Sequence, residues 1–213
     1  MALLIFDLDG TLIDSRLDLA HAVNATRAQM SMSDLPYETI FSYVGNGAPV
    51  LIRRALGPAA SPEDVETALA FFLDYYRQHA VDKTELYPGV REALEKLHAA
   101  GHSLAVLTNK PVRISRSILD HFDLSRLMGR TYGGNSFEQK KPHPMGIDTL
   151  RSEFNAPRED TWMVGDSAVD VQTARNAGVP VCGVTWGFQP ETLREFPPDL
   201  LVDRIEDFAA RFL

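Results

Sequence analysis

The amino-acid sequence predicts an α/β fold on a parallel sheet, interrupted after its first strand by an all-helical insertion. Strand-like runs fall at 3–6, 103–107, 130–132, 161–164, 179–184 and 200–202. Helical patterns lie between most of them, and that alternation points to parallel strands joined by crossover helices. Between about Ser15 and about Thr84 the rhythm breaks, with helix signals and no convincing strand.

The first strand, Leu3 to Phe6, runs directly into Asp7, Asp9 and Gly10. In the insertion, Ser61-Pro62-Glu63-Asp64 combines a cap, a proline at the first helical position and first-turn acids. Val65, Ala68, Leu69, Phe72, Tyr76 and His79 then recur at helical spacing and read as core. The linkers are expected at Asp14 to Arg16 and Asp82 to Pro88, with Pro88-Gly89 marking the return to the sheet. Val90, Ala93, Leu94 and Leu97 form the next apolar helix face, closed by Gly101. Beyond Phe188, Pro190, Pro197 and Pro198 punctuate a structural tail, and Ile205, Phe208, Ala209 and Phe212 predict a final packing helix.

With 213 residues, 45% hydrophobic and 23% charged, the chain has the composition of a globular protein with a sizeable core. A formal net charge of −8 argues against nucleic acid or an anionic membrane as main partner. The single cysteine, Cys182, excludes an internal disulfide and sits in an apolar run, where packing explains it. No signal peptide is visible, and no run approaches the ~18 apolar residues of a membrane helix. A cytoplasmic location is therefore expected. The oligomeric state, monomer or homodimer, stays open.

The motifs carry the functional expectation. Residues i and i+2 of a strand share a face, so Asp7 and Asp9 are expected to point the same way. Paired carboxylates repel, and a hard cation, a nucleophile and a proton donor are the uses that retain them. The plain alternative is a solvated strand end. The run Asp7-Leu8-Asp9-Gly10-Thr11 resembles the first motif of the haloacid dehalogenase superfamily of phosphohydrolases. Thr108-Asn109-Lys110, ending an apolar strand, resembles the second; Lys141-Pro142 the third; Gly165-Asp166-Ser167 through Asp170 the fourth. The resemblance spans nearly the whole chain. It implies a three-layer Rossmann-like core from residues 1–14 and 86–213, with residues 15–85 as a helical cap domain.

By that resemblance, Asp7 is the nucleophile that becomes an aspartyl phosphate, and Asp9 is the general acid and base. Mg²⁺ would be held by Asp7, the Asp9 carbonyl and Asp166. Thr108, the Asn109 amide and Lys141 would contact the phosphate, which implies a small anionic phosphate ester as substrate. Asp170, one helical turn after Asp166, would support from behind, at the metal or at Lys141. The residues alone leave other readings open. Asp166 and Asp170 fit helix N-terminal acids, Lys141 a solvated pair with Lys140, and Thr108 a helix cap. His143 has no necessary role.

The insertion narrows the substrate. No lysine occurs from Met1 to Asp82, which disfavours a phosphonatase-like enzyme with a cap lysine. A dehalogenase is disfavoured because Asp9 and the metal set suit phosphoryl transfer. The cations of the insertion are Arg16, Arg27, Arg53, Arg54 and Arg77. The stretch Gly45-Asn46-Gly47 to Arg53-Arg54-Ala55-Leu56 resembles the cap of phosphoglycolate phosphatases. There Arg53 or Arg54 would take a substrate carboxylate; the alternative is a helix start followed by two surface arginines. Sugar-phosphate phosphatase, pyrophosphatase, β-phosphoglucomutase-like mutase and a noncatalytic phosphate-binding module are the rival readings.

Overall fold

The computed structural model describes all 213 residues. They divide into two compact units, Met1–Asp14 with Leu86–Leu213, and Ser15–Glu85. In chain order the elements are β1 (Leu3–Phe6), β2 (Ile13–Asp14), α1 (Arg16–Gln29), α2 (Tyr37–Phe41), α3 (Ala48–Leu56) and α4 (Pro62–His79). There follow β3 (Glu85–Leu86), α5 (Val90–Ala99), β4 (Ser103–Leu107), α6 (Val112–His121), β5 (Arg130–Tyr132) and α7 (Met145–Phe154). β6 (Thr161–Gly165), α8 (Ala168–Ala177), β7 (Val181–Val184), β8 (Leu200–Val202) and α9 (Ile205–Ala209) complete the chain.

The first unit is built on a six-stranded sheet in the order β5-β4-β1-β6-β7-β8, with every pairing parallel. Leu3 to Phe6 pair with Ser103 to Val106 on one side and with Thr161 to Val164 on the other. The chain moves outward from β1 to β4 and β5, then returns to β6 across β1. Strand order thus reverses at β1, the point where open α/β sheets form a crevice at their carboxyl ends.

Both faces of the sheet are covered, which explains why its strands read as continuous apolar runs. On one face Leu3, Ile5, Ala105, Leu107, Met163 and Val181 pack with Ile147 and Leu150 of α7 and with Val171, Ala174 and Ala177 of α8. Their strand neighbours point the other way: Phe6 meets Phe208 of α9 edge-on at 6.1 Å, and the Trp162 ring lies against Phe208 and Phe212. Cys182 is fully buried in β7, and burial pushes its thiol up to about 12, consistent with a packing role.

The observed strands differ from the sequence expectation in places. β7 begins at Val181 because Gly178 ends α8 in the left-handed region and the Val179 amide still bonds back to Ala174. The two-residue strands β2 and β3, which form a separate two-stranded sheet, were not expected. Two residues are too short for a periodic signal.

The second unit is helical. α4 carries the capping box foreseen at Ser61 and Asp64: the Asp64 amide donates to Ser61 Oγ at 3.1 Å, and the Ser61 amide to Asp64 Oδ2 at 2.9 Å. Ala68, Phe72 and Tyr76 are buried, but His79 departs from the stripe and pairs with Asp82 at 2.8 Å on the exposed edge. Arg27 is buried, with Nε on Ser33 O at 2.7 Å and Nη1 on Ala55 O, so this cation is structural. Buried Asp18 near the start of α1 accepts the Lys83 and Thr84 amides and the Thr84 hydroxyl at 2.8–3.0 Å. Asn24 spans to Leu35 twice, donating to its carbonyl at 3.1 Å and accepting from its amide at 2.9 Å. Asn24→Ala should therefore lower stability by ~1–3 kcal/mol, read as a lower urea midpoint, since it orphans both Leu35 groups.

Candidate active site

Asp7 is the first residue past β1, and its amide continues the ladder to Val164 O at 2.9 Å. One carboxylate oxygen accepts the Leu8 amide at 2.7 Å, and the other meets Lys141 Nζ at 2.9 Å. Lys141, on the loop after β5 and preceding a cis proline, also donates to Asp170 Oδ1 at 2.7 Å. Asp170 sits in the first turn of α8, where its second oxygen accepts the Ser167 hydroxyl at 2.8 Å and amide at 3.2 Å. It is thus a helix-capping acid and the partner of Lys141 at once. Asp166, directly after β6, accepts the Phe188 and Gln189 amides on Oδ2 at 2.6 and 3.3 Å. Lys141 is nearly sealed, so its reading as a solvated surface pair with Lys140 does not hold.

Oxygens of Asp7, Asp166 and Asp170 lie within 4.8 Å of one another. Burial, reinforced by the neighbouring carboxylates, pushes Asp7 up to about 6 and Asp166 up to about 8, against the pull of Lys141 on Asp7 and of the two amides on Asp166. Burial opposes the charge of Lys141 as well, but Asp170 and Asp7 outweigh it and hold the lysine protonated. Three acids with one ammonium among them leave an excess of negative charge on hard oxygen donors. That donor set fits Mg²⁺. Asp7 and Asp170 are each bonded through both oxygens and Asp166 through Oδ2; the resemblance to the family assigns the ion to Asp7 and Asp166, leaving Asp170 as the partner of Lys141.

Close backbone approach makes the cluster compact. A Cβ on Gly10 or Gly187 would collide with the Asp166 carboxylate, and one on Gly165 with Asp170. Gly10 also adopts φ +79°, which turns the chain beyond Asp9.

Asp9 is not on a shared strand face with Asp7, because β1 ends at Phe6. Its carboxylate instead pairs with Lys110 Nζ at 2.8 and 3.0 Å, outside the cluster of the other three acids. The mutual repulsion of the two acids is resolved by giving each its own lysine. Lys110, which the sequence reading placed in the second motif without giving it a role, is brought to Asp9 by the fold. Its signal was a third polar side chain beside Thr108 and Asn109, after an otherwise buried strand. Thr108 is not a helix cap, since α6 begins at Val112; its hydroxyl accepts the Lys110 amide at 3.2 Å. Asn109 Nδ2 donates to Lys141 O at 3.1 Å and ties the loops after β4 and β5 together. His143 is exposed and accepts only a local bond from the Met145 amide at 3.2 Å.

In the helical unit, Gly45 and Gly47 have φ of +117° and +85° and flank Asn46 just before α3. Arg53 and Arg54 are exposed near the end of that helix; Arg53 Nη1 donates to Ala60 O at 3.2 Å and Arg54 Nη1 to Tyr43 O at 3.3 Å.

The profile of the haloacid dehalogenase-like hydrolases matches residues 4–184. A phosphoglycolate phosphatase of Haemophilus influenzae is 38% identical over 212 residues, covering 96% of this chain and 93% of that protein. One from Vibrio parahaemolyticus is 36% identical with the same coverage. Among solved structures, a predicted phosphoglycolate phosphatase from Haemophilus somnus superposes with a TM-score of 0.94 at 32% identity, covering 100% of this chain and 98% of that one. No helix is long and apolar enough to cross a membrane. The match extends from the first strand through β7 and takes in every acid and lysine described above, and the chain belongs to the haloacid dehalogenase-like hydrolases.

Proposed function

We propose that the chain is a Mg²⁺-dependent phosphatase that hydrolyses a small phosphomonoester through an aspartyl phosphate on Asp7, with 2-phosphoglycolate as substrate. The observation that carries the reading is the convergence of Asp7, Asp166, Asp170 and Lys141 at the carboxyl end of β1, where strand order reverses.

The nucleophile must be an anion. With its pKa near 6, Asp7 is mostly ionised at neutral pH, and Lys141 beside it favours that form. An Asp7 oxygen forms a bond to phosphorus while the ester P–O bond breaks, and the leaving oxygen takes a proton from the Asp9 carboxyl. Water then attacks the phosphorus of the aspartyl phosphate and gives its proton to Asp9, and the P–O bond to Asp7 breaks to release phosphate. Mg²⁺, held by Asp7, Asp166 and the Asp9 carbonyl, would neutralise the approach of a carboxylate to a phosphate dianion. Thr108 and the Asn109 amide would hold equatorial phosphate oxygens, and Lys141 adds a fixed positive charge.

The substrate rests on relatives named phosphoglycolate phosphatases and on the segment Gly45-Asn46-Gly47 with Arg53, whose guanidinium suits the carboxylate of 2-phosphoglycolate. The test is Mg²⁺-dependent phosphate release from 2-phosphoglycolate beside sugar phosphates, pyrophosphate and phosphonoacetaldehyde, with Asp7→Asn as blank. Preferential release from 2-phosphoglycolate, absent in the blank, is expected. Preference for a different ester overturns the substrate, and undiminished release by Asp7→Asn overturns the nucleophile.

A further inference from the structure

We propose that Lys110 is a positioning residue for Asp9, holding its carboxyl group where both proton transfers of the reaction take place. The inference rests on the reading of Asp9 as general acid and base. Its basis is geometric. Lys110 Nζ lies 2.8 and 3.0 Å from the two Asp9 oxygens, so one ammonium grips both and fixes the rotation of the carboxylate plane. The lysine side chain is 3% exposed and that of Asp9 15%, so the acid is the more accessible of the two.

The elements that set this pair belong to the fold itself. Asp9 follows β1 and Lys110 follows β4, strands paired in parallel with Phe6 opposite Val106. The Lys110 amide is anchored on Thr108 Oγ1, and its carbonyl accepts the Gly134 amide at 2.9 Å. A Cβ at Gly133 or Gly134 would strike the backbone of 109–112, so this loop is packed against its neighbour with no slack. The stem of Lys110 therefore starts from a rigid base. Lys141 and Lys110 divide the work: Lys141 joins Asp7 to Asp170, and Lys110 keeps Asp9 apart from that cluster.

A cation that oriented Asp9 leaves a kinetic trace that a merely structural lysine does not. With p-nitrophenyl phosphate the leaving phenolate departs without a proton, so formation of the aspartyl phosphate needs no acid. Its breakdown still needs Asp9 to accept the proton of the attacking water. Rapid-quench measurements on Lys110→Met with p-nitrophenyl phosphate and Mg²⁺ should show a burst of p-nitrophenolate near one per enzyme, within about threefold of the wild-type formation rate, then a steady rate about 10²-fold below wild type. Acid-stable phosphoprotein should accumulate in step with the burst. With 2-phosphoglycolate both phases should slow, while KM stays within about threefold. Lys110→Arg, which keeps a cation, should recover the steady rate at least about tenfold over Lys110→Met.

Asp9→Asn, run in parallel, separates the two layers of the argument. A burst with slow breakdown in both variants, and a double variant no slower than Asp9→Asn, supports the inference. The burst in Asp9→Asn with wild-type kinetics or a uniform loss in Lys110→Met overturns the role of Lys110 and leaves that of Asp9 standing. No burst in Asp9→Asn overturns the reading of Asp9 itself. Should Lys110→Met fail to fold, judged by circular dichroism, Lys110→Gln carries the same expectation.

Discussion

Lys141→Met is expected to abolish useful turnover and to destabilise the α/β unit. The side chain is 2% exposed and donates to Asp170, itself 1% exposed, at 2.7 Å and to Asp7 at 2.9 Å. Removing one partner of a buried ion pair leaves an uncompensated charge, which costs about 3–5 kcal/mol. Urea unfolding without metal should show that deficit. Saturating Mg²⁺ should narrow it, because a divalent cation supplies charge that the lysine no longer does. For turnover, Lys141 is the largest influence holding down Asp7, the proposed nucleophile, so without it the Asp7 pKa rises above about 6. The protonated, non-nucleophilic form then dominates at neutral pH, and residual activity should climb as pH is raised. A loss of about 10³-fold at pH 7 is expected. A variant with an unchanged midpoint and less than about tenfold loss would contradict the geometry.

Gly165→Ala should be strongly damaging although it alters no functional group. Gly165 closes β6, and an added Cβ would overlap the Cβ, Cγ and Oδ2 atoms of Asp170. The Asp170 Cβ is fixed by the helix backbone, so relief requires the first turn of α8 to move. Both engagements of Asp170, with Lys141 and with Ser167, would loosen together. Overpacking of this kind costs about 1–3 kcal/mol, and a kcat reduced by about 10²-fold is expected from the displaced lysine. Thermal melts together with phosphate release read both effects. An unaltered kcat would show that Asp170 does not set the position of Lys141.

Much of this arrangement was legible in the residues. The strands announced themselves because both sheet faces are covered, so apolar runs such as Leu3 to Phe6 are unbroken. The start of α4 was legible because a capping box is a purely local device, closed within Ser61 to Asp64. The resemblance to the family's motifs pointed to Asp7, Thr108, Asn109, Lys141, Asp166 and Asp170, all of which lie at or beside the ends of parallel strands or on the loops that follow them. What failed was inference across the end of an element. Strand alternation placed Asp7 and Asp9 on one face, but alternation stops at Phe6. His79 matched a helical stripe by spacing, yet an i+3 partner, Asp82, draws it to the exposed edge. Among the arginines of residues 15–85, nothing in the sequence marked Arg27 as structural, and its burial does.

By itself the sequence determined the six strands of the main sheet and their order, and its likeness to a known family singled out the acids Asp7, Asp9, Asp166 and Asp170 and Lys141 as candidates for a phosphoryl site. The strands follow from local propensities and apolar runs, which act over a few residues, and the candidate site residues from the resemblance of their motifs to those of a known family. Tertiary structure alone decided the pairing: Lys141 with Asp7 and Asp170, Lys110 with Asp9, and Asp166 with the amides of Phe188 and Gln189. Asp9 and Lys110 are 101 residues apart in the chain and meet only because β1 and β4 are neighbours in one sheet. Which charge neutralises which is settled by distances of about 3 Å in a low-dielectric interior, and no spacing along the chain encodes those distances.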